Sequence, residues 1–280
     1  MVWHEPHGAV YWTDINRFLV HRLNPLDGTV RSWFFDEPVT ALTLTDRDDI
    51  LAVCLGSRVI LWEPSCDRRT KELFRLDSWP KVRLNDGRAD PRGSLWVGSM
   101  RNNVKPDGRS VETGGKDGVL YRLDPDGLVT KHRADLGISN TLAWSPDWRH
   151  FYFGDSLANT IWKFDYNPDT GNISNETPFL QNFSRGLPDG STVDADGYLW
   201  NCRFYGGCIV RVAPNGNIDR VIEMPVRDVT TCTFGDVDRK TLYVTTAAGD
   251  APSGDRLAGS LYALRTEIPG QPENRFRAFR

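Results

Sequence analysis

The chain of 280 residues reads as all-β, a six-bladed β-propeller forming a single domain over residues 1–280. Three observations predict this. A short apolar strand phrase returns six times, its returns lie roughly 40–50 residues apart, and no stretch keeps an apolar face at helical spacing over three turns. The phrases are Val10-Tyr11-Trp12, Leu51-Ala52-Val53, Leu95-Trp96-Val97, Phe151-Tyr152-Phe153, Leu199-Trp200-Asn201 and Leu242-Tyr243-Val244. Their starts are 41, 44, 56, 48 and 43 residues apart.

A second strand follows each phrase and closes on a turn. In the first unit His21-Arg22-Leu23 runs into Asn24-Pro25-Leu26-Asp27-Gly28, and in the third Leu120-Tyr121-Arg122-Leu123 runs into Asp124-Pro125-Asp126-Gly127. In the fourth, Ile161-Trp162-Lys163-Phe164 leads to Gly171, and in the fifth Val210-Arg211-Val212 leads to Ala213-Pro214-Asn215-Gly216. Asp-Gly and Asn-Gly between alternating strands mark hairpins, because glycine reaches positive φ without steric cost. A β-sandwich with irregular hairpins is the alternative, but it gives no reason for one phrase to return six times. Most of the ten Trp residues belong to the repeat and are expected in blade cores. The longest interval holds a Gly- and charge-rich stretch from Arg101 to Gly118, a rim loop that is either an ordered lid or a surface excursion.

Composition excludes several classes. Net charge is -3, and the longest basic cluster, Arg68-Arg69 with Lys71, suits a solvated strand edge rather than a nucleic-acid surface. No apolar run approaches the ~20 residues of a membrane helix, and Met1 to Pro6 lacks the basic start and apolar core of a secretory signal. Five cysteines without a CxxC pair point to reduced thiols in a cytoplasm, with Cys202 and Cys208 as core fillers. There is no G-x-S-x-G, Walker or dinucleotide motif, and His4-Glu5-Pro6-His7 has the wrong spacing for a zincin.

Three polar motifs recur with the repeat: Arg83-Leu84-Asn85-Asp86-Gly87, Ile138-Ser139-Asn140 and Pro188-Asp189-Gly190. Asn85 lies ten residues before Leu95, Asn140 eleven before Phe151 and Asp189 ten before Leu199. The near-constant offset predicts equivalent places in three successive blades, in the loops feeding the repeated strands. Blades set in a ring would bring such groups to one point. Asn and Asp oxygens suit one divalent cation, Ca²⁺, Mg²⁺ or Mn²⁺, and less strictly Zn²⁺. A site with few protein ligands leaves positions for water and substrate. Asp189 is the candidate base, and Arg83 a fixed cationic fork for a substrate oxygen or developing oxyanion.

At these residues the chain resembles the gluconolactonase / senescence marker protein (regucalcin) family, from about Trp3 to about Leu264. The resemblance rests on Val10-Tyr11-Trp12-Thr13-Asp14-Ile15, Arg83-x-Asn85-Asp86-Gly87, Ile138-Ser139-Asn140, Tyr152-x-x-Asp155-Ser156, Pro188-Asp189-Gly190 and Gly206-Gly207. It implies a six-bladed propeller that binds one divalent cation and hydrolyses sugar lactones. By that match Asn140 and Asp189 are metal ligands, Asp189 doubles as the base, Asn85 binds substrate or a metal-bound water, and Arg83 binds substrate. A family acidic substrate contact in the rim loop falls near Asn103.

Two departures stand out. Thr141 replaces the glycine that usually follows the family's Ile-Ser-Asn, which is expected to narrow the mouth. Trp3 matches the Trp of a family Glu-x-Pro-x-Trp phrase whose Glu is a third metal ligand, so that Glu falls upstream of Met1, and Glu5 lies on the wrong side of Trp3, toward solvent. Either further residues precede this start or the site has one carboxylate instead of two. The expected activity is metal-dependent opening of an aldonolactone such as glucono-, xylono- or arabinonolactone to its aldonic acid. The partner is that small molecule, with no nucleic acid or membrane, and the protein is a monomer or weak dimer. A non-catalytic Ca²⁺-binding or interaction propeller, or a related metal-dependent esterase or phosphoesterase, is the alternative.

Overall fold

Alternating apolar runs closed by glycine turns satisfy their backbone groups by antiparallel pairing with the next run. The computed structural model describes residues 1–249 and 256–278, and in it six antiparallel sheets follow one another along the chain. The first joins β1 (Val2–His4), β2 (Ala9–Asp14), β3 (Leu19–Leu23) and β4 (Val30–Phe34), and the second β5 (Val39–Leu44), β6 (Leu51–Leu55), β7 (Arg58–Glu63) and β8 (Arg68–Arg75). The third joins β9 (Val82–Ala89), β10 (Leu95–Arg101), β11 (Gly118–Leu123) and β12 (Val129–Leu136). The fourth contains β13 (Ser139–Trp144), β14 (His150–Asp155), β15 (Thr160–Tyr166) and β16 (Ile173–Gln181). The fifth contains β17 (Leu187–Val193), β18 (Leu199–Phe204), β19 (Cys208–Val212) and β20 (Ile218–Glu223). In the sixth, β21 (Val229–Gly235), β22 (Thr241–Thr246) and β23 (Leu261–Arg265) pair among the described residues. The fold class is the six-bladed β-propeller. Among the described residues no helix is long and apolar enough to cross a membrane.

The repeated apolar phrases are the second strands, β2, β6, β10, β14, β18 and β22. They are covered on both faces, which is why they read as apolar runs; β6 is buried throughout. The fourth strands are polar because each has a neighbour on one side only. In β8 the Arg68-Arg69-Lys71 cluster lies exposed on that edge, where charge blunts pairing with another chain. The tryptophans anchor sheet cores as expected. The indoles of Trp96 and Trp200 donate from Nε1 to Asp90 and Asp194, each at 2.9 Å, and Trp33 meets Trp62 edge-on at 5.1 Å. Cys202 and Cys208 are fully buried strand residues, as core fillers should be.

The first strands correct the sequence reading. The polar motifs do not lie in loops feeding the repeated strands: Asn85, Asn140 and Asp189 sit on β9, β13 and β17, the first strands of three sheets. Pro188-Asp189-Gly190 is thus strand, not turn. In four sheets the pairing of first and second strand slips by one residue, at Thr40, at Asn85–Asp86, at Asp189–Gly190 and around Thr230. Such a bulge re-aims the side chains it carries. Opposite the β9 bulge stands Gly98, and opposite that of β17 stands Cys202.

The chain divides into two compact units, Met1–Ser139 with Glu273–Arg280, and Asn140–Pro272. In the first unit the chain's last described residues return to the early sheets. Phe276 is buried, its N–H donates to the Leu44 carbonyl at 2.8 Å, and its carbonyl accepts from Asp46 at 3.0 Å. Arg277 donates to Gly93, where an added Cβ would lie 2.5 Å from the Arg277 side chain. His4-Glu5-Pro6-His7 forms a 3₁₀ turn, Glu5–His7, with Glu5 exposed and the two imidazoles stacked at 3.8 Å. The His4 Nδ1 accepts from the His7 N–H, and the His7 Nδ1 meets the Tyr11 hydroxyl at 2.9 Å.

Two outcomes are expected. Gly98→Ala places a Cβ 1.5 Å from the Ser139 Oγ and forces β10 or its neighbour to shift; overpacking of this kind costs about 1–3 kcal/mol, read as a lower melting temperature. Burial, with His7 and Arg275 adding to it, holds His4 at about 4, and burial holds His132, packed on Trp96, at about 4. Both values lie below the ordinary 6.5, so the unfolded chain binds protons that the folded chain refuses. Stability present above pH 6.5 is therefore expected to fall as pH drops toward 4. Melting temperature against pH checks this, and His132→Gln should flatten the slope.

Candidate active site

In the first unit, Arg83, just before the bulge of β9, reaches both the rim loop and Asn85 within the bulge. Arg83 is 4% exposed, and its Nε and Nη2 donate to the Asn103 Oδ1 at 3.0 and 2.8 Å. Its Nη1 donates to the Asn85 Oδ1 at 2.7 Å and to the Leu84 carbonyl at 2.9 Å. Asn85 in turn donates from Nδ2 to the Ser139 carbonyl at 2.8 Å, the residue before Asn140 in the chain. The three substrate-binding candidates of this unit, Arg83, Asn85 and Asn103, therefore form one hydrogen-bonded cluster. Gly87 allows it: a Cβ there would stand 3.2 Å from the Cys54 Sγ, so β9 packs closely on β6.

The rim loop is ordered by its own contacts. The Lys105 N–H donates to the Arg109 carbonyl at 2.9 Å, the Val111 N–H reaches the Asn103 carbonyl at 2.9 Å, and Asp117 takes ion pairs from Lys81 and Arg101. Asn16, in the turn after β2, donates to the Gly108 carbonyl at 2.6 Å and the Ser110 Oγ at 3.0 Å.

In the second unit, Asn140 and Asp189 are tied through a single hydroxyl. Asn140 donates from Nδ2 to the Ser156 Oγ at 2.8 Å, and Ser156 donates to the Pro188 carbonyl at 2.6 Å, one residue before Asp189. This fixes the amide, so a cation held by Asn140 takes its Oδ1. The Asp189 carbonyl accepts from Thr141 Oγ1 at 2.6 Å and from Asn201 Nδ2 at 3.2 Å. Asn201 also donates to Ser191 at 2.9 Å. Gly190 admits this packing, since a Cβ there would lie 2.1 Å from the Thr231 Oγ1. Burial raises the Cys202 thiol well above its ordinary value, with contributions from Cys232 and the negative charge of Asp189, which sits across the bulge.

Thr141 does not narrow a mouth. It is fully buried, with φ +54° beside Gly154, and its hydroxyl is spent on Asp189. A non-glycine residue held at such a φ costs on the order of 1–3 kcal/mol.

Arg203 and Asn201 are supports of this cluster that the sequence reading did not single out as site residues. Arg203 is 1% exposed and donates to the carbonyls of Arg185 and Gly186, to the Asn201 Oδ1 and to the Asn159 Oδ1. It joins the turn that carries Ser156 to the segment that enters β17. Burial lowers its pKa to about 10, which leaves it charged at neutral pH. One signal was available: Asn201 is the polar residue in a phrase whose third position is otherwise apolar.

No cluster of three or more His, Cys, Asp or Glu side chains suited to a metal exists among the described residues. The second unit offers one buried, oriented amide oxygen and one half-buried carboxylate. That donor set fits a hard cation keeping most of its coordination for water and substrate, and fits soft or redox metals poorly.

The SMP-30/gluconolactonase/LRE-like region matches residues 1–248. Pentonolactonase XacC of Haloferax volcanii is 34% identical over 283 residues, covering 98% of this chain and 92% of that protein. Regucalcin of Xenopus laevis is 34% identical over 250 residues, covering 88% and 81%. The crystal structure of a calcium-binding protein, regucalcin from Agrobacterium tumefaciens, superposes with a TM-score of 0.89 at 27% identity, covering 99% of this chain and 92% of that one.

Ser156 lies inside the matched stretch and bridges both ligand candidates. Ser156→Ala leaves the Asn140 amide and the Pro188 carbonyl without that bridge; loss of a buried partner costs about 1–3 kcal/mol, and thermal unfolding of the cation-free protein should show it. The matched residues 1–248 include Arg83, Asn140, Ser156 and Asp189, and the chain belongs to the SMP-30/gluconolactonase/LRE-like family.

Proposed function

We propose that this chain hydrolyses a sugar lactone, a five- or six-carbon aldonolactone, to the aldonic acid with one divalent cation. The observation that carries the reading is the pinned pair in the second unit, Asn140 fixed through Ser156 and Asp189 fixed through Thr141 and Asn201. The relationship to a pentonolactonase at 34% identity over nearly the whole chain supports it.

Asn140 Oδ1 and the Asp189 carboxylate would hold the cation. When bound, it polarises the lactone carbonyl and makes water more acidic. The Asp189 carboxylate accepts a proton from the attacking water as its oxygen bonds to the carbonyl carbon. The ring C–O bond then breaks, the ring oxygen takes that proton from Asp189 to become a hydroxyl, and the acid leaves. Arg83 donates to a substrate oxygen. Its fork is held in place by Asn85 and Asn103, so little ordering is left for the moment of reaction. Asn85 and Asn103 supply amide groups to the sugar's hydroxyls, and the six sheets act as a single domain. The composition, with five unpaired thiols, favours a cytoplasmic monomer or weak dimer.

The test is acid release in a pH-stat from glucono-, xylono- and arabinonolactone. It uses metal-stripped protein with Ca²⁺, Mg²⁺, Mn²⁺ or Zn²⁺ restored. Turnover should need the cation, and Asp189→Asn should lower it at least about 100-fold with circular dichroism unchanged. Acid release indifferent to both chelation and Asp189→Asn would sink the proposal. Cation binding without turnover on any lactone would favour a binding propeller instead.

A further inference from the structure

Among the described residues Thr141 is the one β-branched residue with positive φ, at +54°, and it lies within strand β13 rather than in a turn. Branching at Cβ makes that region a genuine outlier, so something in the surrounding structure must hold it. Two features do. Gly154 leaves room beside it, its own missing Cβ falling 3.1 Å from the Thr141 Cβ. The hydroxyl is saturated: it donates to the Asp189 carbonyl at 2.6 Å, so Ser191 at 2.9 Å and Asn201 at 3.3 Å donate to it.

A strained conformation kept at full burial, with its side chain directed at the backbone of a ligand candidate, points from strain to role. We propose that Thr141 is a positioning residue for Asp189. Its positive-φ backbone carries the hydroxyl to the Asp189 carbonyl, and that bond, with the one from Asn201, fixes the peptide from which the carboxylate projects. This rests on the reading of Asp189 as a cation ligand. Thr141 touches neither cation nor substrate; it acts by setting the aim of a group that does. Glycine at this position relaxes the backbone but releases the clamp. Serine keeps the hydroxyl and sheds a methyl. A purely structural hydrogen bond would leave cation affinity alone whichever residue replaced it.

The experiment compares wild type, Thr141→Gly, Thr141→Ser and Asp189→Ala, all metal-stripped. Each is titrated with Ca²⁺ and with Mn²⁺ by calorimetry and by the cation-induced rise in melting temperature. Asp189→Ala should lose the cation. Thr141→Ser should bind within about threefold of wild type, whereas Thr141→Gly should bind about 10–100-fold more weakly, as when a partner orienting a ligand is lost. The cation-free melting temperature of Thr141→Gly should stay close to wild type, because the relaxed backbone offsets the lost hydrogen bond. If Asp189→Ala loses the cation and Thr141→Gly keeps it at wild-type affinity, the role of Thr141 is overturned while the reading of Asp189 stands. If wild type takes up neither cation, or Asp189→Ala binds as wild type does, the reading of Asp189 falls and the proposal with it. Should Thr141→Gly not fold, Thr141→Ala, which keeps the Cβ but removes both its branches and so lacks the hydroxyl, decides by the same criterion.

Discussion

The structure depends on a one-residue slip between the first and second strand of a sheet. An unbroken antiparallel ladder sends alternate side chains to opposite faces, so a strand buried on both faces keeps an Asn, Asp or Arg only where buried partners satisfy it. The extra residue on β9 and on β17 breaks that alternation at Asn85–Asp86 and at Asp189–Gly190. It lets polar side chains leave a strand whose other residues are core. The slip demands space in return. Gly98 provides it opposite β9, Gly154 lies against the strained Thr141, and Gly87 and Gly190 allow the bulged strands to approach their neighbours. The glycines of Asn-Asp-Gly and Pro-Asp-Gly are there for contact distance rather than for a turn.

Once turned out, these side chains are held by partners that are themselves buried. In the second unit Thr141, Asn201 and Arg203 are linked to one another and, with Ser156, grip the backbone at Pro188 and Asp189. A polar web inside protein is stabilising only when its members are paired, and then it is stiff. That stiffness matters more for chemistry than for folding, since groups already oriented need no reorganisation when charge develops. The guanidinium of Arg203 shows the same logic with charge. Its cation is buried on carbonyl and amide oxygens, so it serves as a strut rather than as a surface ion pair.

Much of this was legible in the sequence. The six apolar phrases are six second strands, and the hairpin glycines mark true turns, because strand alternation and turn chemistry are local properties. The equal offsets of Asn85 and Asp189 mark equivalent register positions, as the slips on β9 and β17 show. The first strands themselves were not legible: carrying Arg83, Asn140 and Asp189, they read as loops, and only pairing with β10, β14 and β18 makes them strands. Nor could periodicity find the supports. Asn201 meets Thr141 across 60 residues and Arg203 meets Asn159 across 44, separations fixed by tertiary packing alone. Thr141 was misread for the same reason, since a larger side chain suggests a narrower opening until its direction is known.

The return of Phe276 and Arg277 to the first unit has a consequence for how the chain is made. Phe276 packs among residues of the second and third sheets, so that hydrophobic core is completed by a segment that follows the whole intervening unit. A ribosome that has finished the third sheet has therefore released a core still lacking its last aromatic. That core is therefore completed only after the intervening unit, whose described strands all precede Glu273. Residues 273–278 thus act as a latch that closes on the second and third sheets.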